Sequence, residues 1–302
     1  MNEIVVISGK GGTGKTSLVA SFAALSEDCI VADCDVDAAD LHLILDPVPT
    51  KQTDFSGGNR AAVDPAACTA CGVCKEYCQF DAITMDGPAN DAVEKTARID
   101  PTACEGCGVC NWFCIGGAVK FAPAINGKWF VSQTRFGPLV HAKLGIAEGN
   151  SGKLVHILRT EARALAEAGR VETILIDGSP GIGCPVIASI TGANLVLIVT
   201  EPTQSGMHDF KRVAELAKHF KIPAMVCVNK WDLNAVITDR IELFAQNHGI
   251  EVAPRVRYDR AITDAQIAQQ TVIEYQEASC AGEIREVWEK IQATIASPIK
   301  DN

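Results

Sequence analysis

Five short runs of unbroken apolar residues punctuate the chain: "EIVVIS" at 3–8, "CIVADC" at 29–34, "TILID" at 173–177, "LVLIVT" at 195–200 and "AMVCVN" at 224–229. They lack the apolar/polar alternation of a half-exposed strand, so each predicts a strand covered on both faces, as in a parallel sheet. Between them the apolar spacing lengthens to that of helices. "KTSLVASFAAL" follows the first run, "KLVHILRTEARALAEAG" precedes the third, and "AGEIREVWEKIQATIA" puts Ile284, Val287, Trp288, Ile291 and Ile295 on one face. Strands alternating with helices predict an α/β fold, a mostly parallel, doubly wound sheet with ligands at the carboxyl ends of its strands. Residues 61–122 break the alternation, and "GKWFVSQTRFGPLVHAKLGI" (127–146) reads as two short strands around Phe136-Gly137-Pro138. The predicted organisation is one discontinuous domain, 1–60 and 123–302, with residues 61–122 inserted into it.

Composition removes several classes. A chain of 302 residues buries about three quarters of its unfolded surface and needs no disulfides to make a core. A net charge of −10 without a segregated basic patch argues against nucleic acid as a partner. No apolar run approaches membrane-spanning length, the Ile4–Ile7 run is too short for a signal peptide, and Glu283, Glu286 and Glu289 dilute any basic face on the last helix. These features predict no membrane anchor and a cytoplasmic protein, in which clustered thiols hold metal more readily than they pair.

Thirteen cysteines make that point matter. Eight fall in "CTACGVCKEYC" (68–78) and "CEGCGVCNWFC" (104–114), the same spacing repeated 36 residues on, from Cys68 to Cys104. The likeness extends outward: Asp64-Pro65 matches Asp100-Pro101 and Ala82-Ile83 matches Ala118-Val119, so two copies of one unit about a pseudo-twofold are expected. Gly72 and Gly108 suit the tight turn between ligands. Zinc is the alternative metal, although it takes two separated pairs and leaves a third close cysteine without a role. The C-x2-C-x2-C-x3-C spacing resembles the bacterial ferredoxin run. That resemblance implies an α+β ferredoxin-like insert with two [4Fe-4S] clusters, one on Cys68, Cys71, Cys74 and Cys114 and one on Cys104, Cys107, Cys110 and Cys78. Ferredoxins of this type place proline after the fourth cysteine, where this chain has Gln79 and Ile115. Trp112 is expected to shield a cluster, and Cys184, outside the repeat, to be a small buried thiol.

The first apolar run leads into "SGKGGTGKTS" (8–17), in which Gly9, Gly14, Lys15 and Thr16 satisfy G-x-x-x-x-G-K-[ST] between a strand and a helix. Gly11, Gly12, Thr13 and Ser17 complete the phosphate-cradling loop and first helical turn; Lys15 reaches the β and γ phosphates and Thr16 offers its hydroxyl to Mg2+. Lys10 narrows the match, because K-G-G-x-G-K-T resembles the deviant Walker A family that includes MinD, ParA, Mrp and the nitrogenase iron protein. The resemblance implies that ATP is sandwiched in a dimer, homodimeric or formed with a paralogous ATPase, with Lys10 acting in trans. It further implies that Asp33 orients or deprotonates the attacking water, that Asp35 or Asp37 senses Mg2+ through waters, and that Asp177 holds a magnesium water. Asn229 matches the adenine-reading position, and Val256, Tyr258 and Asp259 lie in the loop packed against the base. Asn229, Lys230 and Asp232 equally spell the guanine-reading N-K-x-D, which keeps GTP as the alternative. "GNSGKLV" (149–155) resembles a motif of the ferredoxin-bearing branch. The function this implies is ATP-gated electron transfer through two clusters to a partner metalloprotein or reductase. The alternative is a cofactor-assembly ATPase of the Mrp kind; a positioning ATPase with structural clusters lacks the lipid helix and the basic patch.

Overall fold

Ile4, Val5, Val6 and Ile7 are completely buried, and the strand they form lies inside a nine-stranded sheet. The computed structural model describes residues 1–145, 151–275 and 279–296. In chain order the strands are β1 (Asn2–Ser8), β2 (Ile30–Cys34), β3 (Val48–Phe55), β4 (Gly58–Val63), β5 (Ile83–Gly87), β6 (Thr96–Ile99), β7 (Val119–Ala124), β8 (Gly127–Thr134), β9 (Gly137–Leu144), β10 (Thr173–Pro180), β11 (Leu195–Thr200), β12 (Ala224–Val228) and β13 (Glu251–Val252). The helices are α1 (Lys15–Leu25), α2 (Leu41–Leu45), α3 (Val73–Glu76), α4 (Val109–Trp112), α5 (Ser151–Gly169), α6 (Cys184–Ile190), α7 (Gln204–His219), α8 (Ala235–Asn247), α9 (Ala261–Ile267) and α10 (Ala281–Ala296).

The sheet runs β13-β12-β11-β1-β10-β2-β9-β8-β3 and is parallel from β13 through β9. Parallel register sets Ile4 opposite both Leu175 and Leu195, and sets Asp177 of β10 opposite Asp33 of β2, which brings two carboxylates to the same level on adjacent strands. On one face Ile4, Val6, Leu175 and Leu197 pack with α1, α2 and α10, where Phe22 stacks on Trp288 at 5.4 Å. On the other face Gly178 admits Val5, Ile7 and Ser189 so closely that an added Cβ would displace Ile7, and this lets α6 lie against the sheet. Each large apolar side chain buried this way contributes about 1.5–3 kcal/mol. The expected docking helix is α10, with Ile284, Val287, Trp288 and Ile291 buried. Among the described residues no helix is long and apolar enough to cross a membrane.

The two strands expected around Phe136 are β8 and β9, eight residues each, turning at Arg135-Phe136. They extend the main sheet, and β3 finishes its edge. β3, "VPTKQTDF", is largely exposed and polar, so it carries none of the apolar signal of the inner strands.

The chain divides into two compact units. The second runs Asp54–Lys128, with Leu144 and Gly145 of the described residues, and is wider than the 61–122 read from the cysteines. The reason is local hydrogen bonding: Asn126 N–H donates to Phe55 O (2.8 Å) and Gly57 N–H to Asn126 Oδ1 (2.7 Å), which closes the unit at its base. Within it β4 pairs antiparallel with β7, and β5 with β6. The copies are therefore β4-α3-β5 and β6-α4-β7, and exchanging them maps each pairing onto the other. Gly72 (φ 80°) and Gly108 (φ 76°) begin the two equivalent helices, and the equivalent rings Tyr77 and Phe113 stack on each other at 4.4 Å.

Candidate functional site

Immediately after β1 the backbone passes so close to α7 that a Cβ on Gly9 would overlap Asp209. Gly12 (φ 80°) and Gly14 (φ 87°) adopt left-handed backbone, and a Cβ on Gly14 would overlap Asn229; these are positions only glycine fills without strain. The loop thus formed ends in α1, and residues Gly11 to Ser17 line a cavity of about 380 Å3. Asp35 and Asp40, the pair Asn229 and Lys230, Tyr258 and Asp259, and Ile262, Thr263 and Gln266 of α9 complete its wall. Gln266 is fixed there by donating to Ser17 Oγ (2.8 Å).

Lys15 is buried and pairs with Asp177 and, at 3.1 Å, with Asp35. Burial disfavours its ammonium, but the charges of Asp177, Asp35 and Asp33 outweigh that and hold its pKa above the usual lysine range. Burial, reinforced by the charge of Asp177 and opposed by Lys15, pushes Asp33 well above the usual carboxylate range. Asp35 is raised too, chiefly by burial, with Lys15 opposing. Asp35 Oδ1 and Asp177 Oδ2 are buried without a hydrogen-bond partner. Such uncompensated oxygens are costly unless something cationic or donating meets them. Among the described residues no three His, Cys, Asp or Glu side chains converge as they would on one metal ion. Asp35 and Thr16 line the cavity, while Asp177 is fully buried and pairs with Lys15; oxygen donors of this kind suit a hard cation that keeps much of its water, which is the habit of Mg2+.

Of the expected residues, Asp177 is fully buried and is not part of the cavity lining. Lys15, Thr16, Asp35, Asn229, Tyr258 and Asp259 line the cavity. Asp33 does not: it is fully buried, and its oxygens accept the N–H groups of Asp35 (3.2 Å) and Leu41 (3.3 Å), so it orders the turn after β2. Val256 is also buried behind the wall, bridged to Asn229, and Asp37 is exposed. Asn229 braces the loop, donating to Thr13 O (2.7 Å) and accepting from Lys230 N–H (2.9 Å). Asp232 accepts from Tyr258 N–H (2.7 Å) and is not among the lining residues. Lys10 turns away from the cavity to Glu201 (3.1 Å), which also holds Lys230 (2.5 Å). Glu201 and α9 were not anticipated, and Lys230 was expected only as part of the guanine-reading N-K-x-D. The available signal for Glu201 was a carboxylate directly after a buried parallel strand, where ligand sites gather.

In the second unit the eight repeat cysteines border two cavities. One is lined by Cys68, Cys71, Cys74 and Cys114, the other by Cys78, Cys104, Cys107 and Cys110. Two expectations need correction. Trp112 is 88 % exposed and shields nothing, because it lies on the outer side of the one-turn helix α4, whereas Phe113 lines the first cavity. Cys184 is exposed at the start of α6 rather than buried, since the turn at Gly181–Gly183 carries it out of the core before the helix begins. Of "GNSGKLV", Gly149 and Asn150 lie outside the described residues; Ser151 opens α5, and Gly152 sits so near Cys184 that a Cβ would lie 3.3 Å from it.

A sequence model described as the CobQ/CobB/MinD/ParA nucleotide binding domain matches residues 4–272. The uncharacterized protein MJ0578 of Methanocaldococcus jannaschii is 31% identical over 301 residues, covering 97% of each chain. Among solved structures, the cell division ATPase MinD of Pyrococcus furiosus superposes with a TM-score of 0.55 at 17% identity, over 97% of this chain and 99% of that one. The septum site-determining protein MinD of Pyrococcus horikoshii OT3, complexed with Mg-ADP, gives 0.56 at 15% identity over 99% of each. Likenesses at that identity show the fold alone.

Proposed function

Because the chain belongs to the CobQ/CobB/MinD/ParA nucleotide binding domain family, we propose that it is a Mg-ATP hydrolase whose nucleotide cycle, run in a dimer, governs electron transfer through two [4Fe-4S] clusters to a partner metalloprotein or reductase. The observation that carries the nucleotide half is Lys15 held between Asp35 and Asp177 at the glycine-rich end of the cavity, with one oxygen of each carboxylate unpartnered. A triphosphate competes for that ammonium, and Lys15 moving to the β and γ phosphates releases Asp35 and Asp177 for Mg2+, which with the Thr16 hydroxyl they would hold. When bound, Mg2+ neutralises charge on the phosphates. Asp33 stands outside the cavity lining with both oxygens accepting backbone N–H groups, so its part is to hold in place the turn that presents Asp35. Lys10 faces away from its own cavity, which supports action on the nucleotide of a second copy or of a paralogue.

Adenine is favoured over guanine. Guanine readers of the N-K-x-D type need a free aspartate, and Asp232 is engaged by the Tyr258 backbone away from the cavity wall. The Tyr258 ring, half-exposed at the wall, offers a stacking face.

For the iron–sulfur half, the supporting observation is the crossed partition of cysteines, three from one run and one from the other around each cavity. Thiolates spread around a space suit a cubane with one ligand per iron, whereas a zinc ion draws four to a point. Cys68, Cys71, Cys74 and Cys114 would hold one cluster and Cys104, Cys107, Cys110 and Cys78 the other; each supplies one-electron redox chemistry when bound. Anaerobic purification followed by iron analysis and potentiometry with and without Mg-ATP tests the reading. About eight irons per chain and a nucleotide-dependent potential are expected. Iron-free protein that hydrolyses ATP normally would refute it.

A further inference from the structure

Glu201 directly follows β11 and precedes Pro202, at the carboxyl edge of the sheet. Its carboxylate meets two ammonium groups: Oε2 is 3.1 Å from Lys10 Nζ and Oε1 is 2.5 Å from Lys230 Nζ. Lys230 has a further acceptor, Gly12 O at 3.1 Å. The glutamate side chain is largely buried, while that of Lys10 is 34% exposed. Burial alone would raise the Glu201 pKa, but the two lysines more than offset it and keep the group below the usual carboxylate range.

We infer that Glu201 is a positioning residue that parks Lys10 outside its own nucleotide cavity and sets how readily that lysine is surrendered to a second copy of the chain. The arrangement is unequal in a useful way. Losing Lys10 leaves Glu201 still paired with Lys230, so no buried charge is stranded. Lys10, in contrast, has a long flexible stem and partial solvent access, and a pair of that kind is weak and exchangeable. A second copy presenting a nucleotide phosphate offers Lys10 a more highly charged partner than one shared carboxylate. Because Lys230 touches Gly12 of the same loop, Glu201 links the position of Lys10 to the base-side segment that follows β12. The inference rests on the reading that Lys10 acts in trans.

The test is Glu201→Gln, which keeps the size of the side chain and removes its charge, assayed for ATP hydrolysis across protein concentration and for ATP-dependent dimerisation by light scattering. The concentration giving half-maximal specific activity should fall about two- to fivefold, the scale of one partly exposed ion pair, with affinity for Mg-ATP in the monomer changed less than about twofold. An unchanged or increased concentration overturns the inference. Should the glutamine variant fail to fold, Glu201→Asp, too short to reach both lysines, is expected to shift the same value in the same direction by about twofold; no shift there also overturns it. The double variant Lys10→Ala/Glu201→Gln must lose the gain. If the gain persists without Lys10, Glu201 acts through Lys230 and the inference is wrong. If Lys10→Ala alone leaves the concentration dependence of hydrolysis intact, it is the trans reading that fails.

Discussion

Lys15 stands among three buried carboxylates, Asp33, Asp35 and Asp177, so its removal does two separable things. Lys15→Ala should cut ATP hydrolysis at least about a hundredfold, measured as phosphate release. It should also strand Asp33, Asp35 and Asp177 as uncompensated charges, destabilising the protein by about 3–5 kcal/mol at neutral pH. Asp33 and Asp35 already have raised pKa values in the fold. Their contribution is favourable at low pH and is lost as pH rises through the folded values. Urea unfolding of the variant should therefore show a smaller deficit at pH 5 than at pH 8. His141 carries the opposite sign. Burial first, then the charge of His42, lowers it from 6.5 to about 4, and its ring packs on Phe130 and meets Ser132 Oγ at 2.8 Å. A base with a depressed pKa contributes stability above the unfolded value that is lost as pH falls toward the folded one. Wild type should lose stability between pH 6.5 and 4 relative to His141→Gln; parallel curves would contradict this. The loop residues Gly9 to Thr16 could be read directly because their spacing is their chemistry. Glu201 and Lys230 could not, because only the order β12-β11-β1 brings them beside Lys10.

Five residues are too few for a helix to hold by itself, yet α2 follows the turn after β2 that carries Asp35. Both its ends are tied: Leu41 N–H donates to Asp33, and Ile44 O accepts from Arg135 at 3.0 Å. Arg135 also makes a two-pronged pair with Glu274 (2.7 and 2.8 Å) and donates to Gln269 O beyond α9 (3.1 Å). Arg135→Ala should cost about 1–3 kcal/mol and speed amide exchange in residues Leu41–Leu45 and in α9 together, read by hydrogen–deuterium exchange. Arg135→Lys should not rescue it, since one ammonium lacks the fork. At this scale the inner strands were legible because a strand covered on both faces is apolar throughout. β3 was not, being polar at an exposed edge, and neither was α2. In the repeat, Ala70 and Gly106 occupy equivalent positions and share left-handed backbone (φ 56° and 63°), a correspondence that the differing residues conceal.

Two compact units sit in one chain, and only α2 and β3 separate the residues Asp33–Asp40 from the start of the second. The cysteine repeat marks the middle of the second unit, whereas the unit's edges depend on Phe55, Gly57 and Asn126, which bear no cysteine signal. The crossed partition makes a sharp prediction for the whole molecule. Cys68→Ala/Cys114→Ala strikes one cavity only and should leave about four irons per chain, whereas Cys74→Ala/Cys78→Ala strikes both and should leave almost none. Equal losses in the two variants would refute the assignment.

Each cavity takes three thiols from its own half and borrows the last from the other, while Tyr77 and Phe113 lean on one another between the halves. Neither half therefore owns a finished binding place. Expressed alone, neither half would serve, so inheritance of this module is all or nothing.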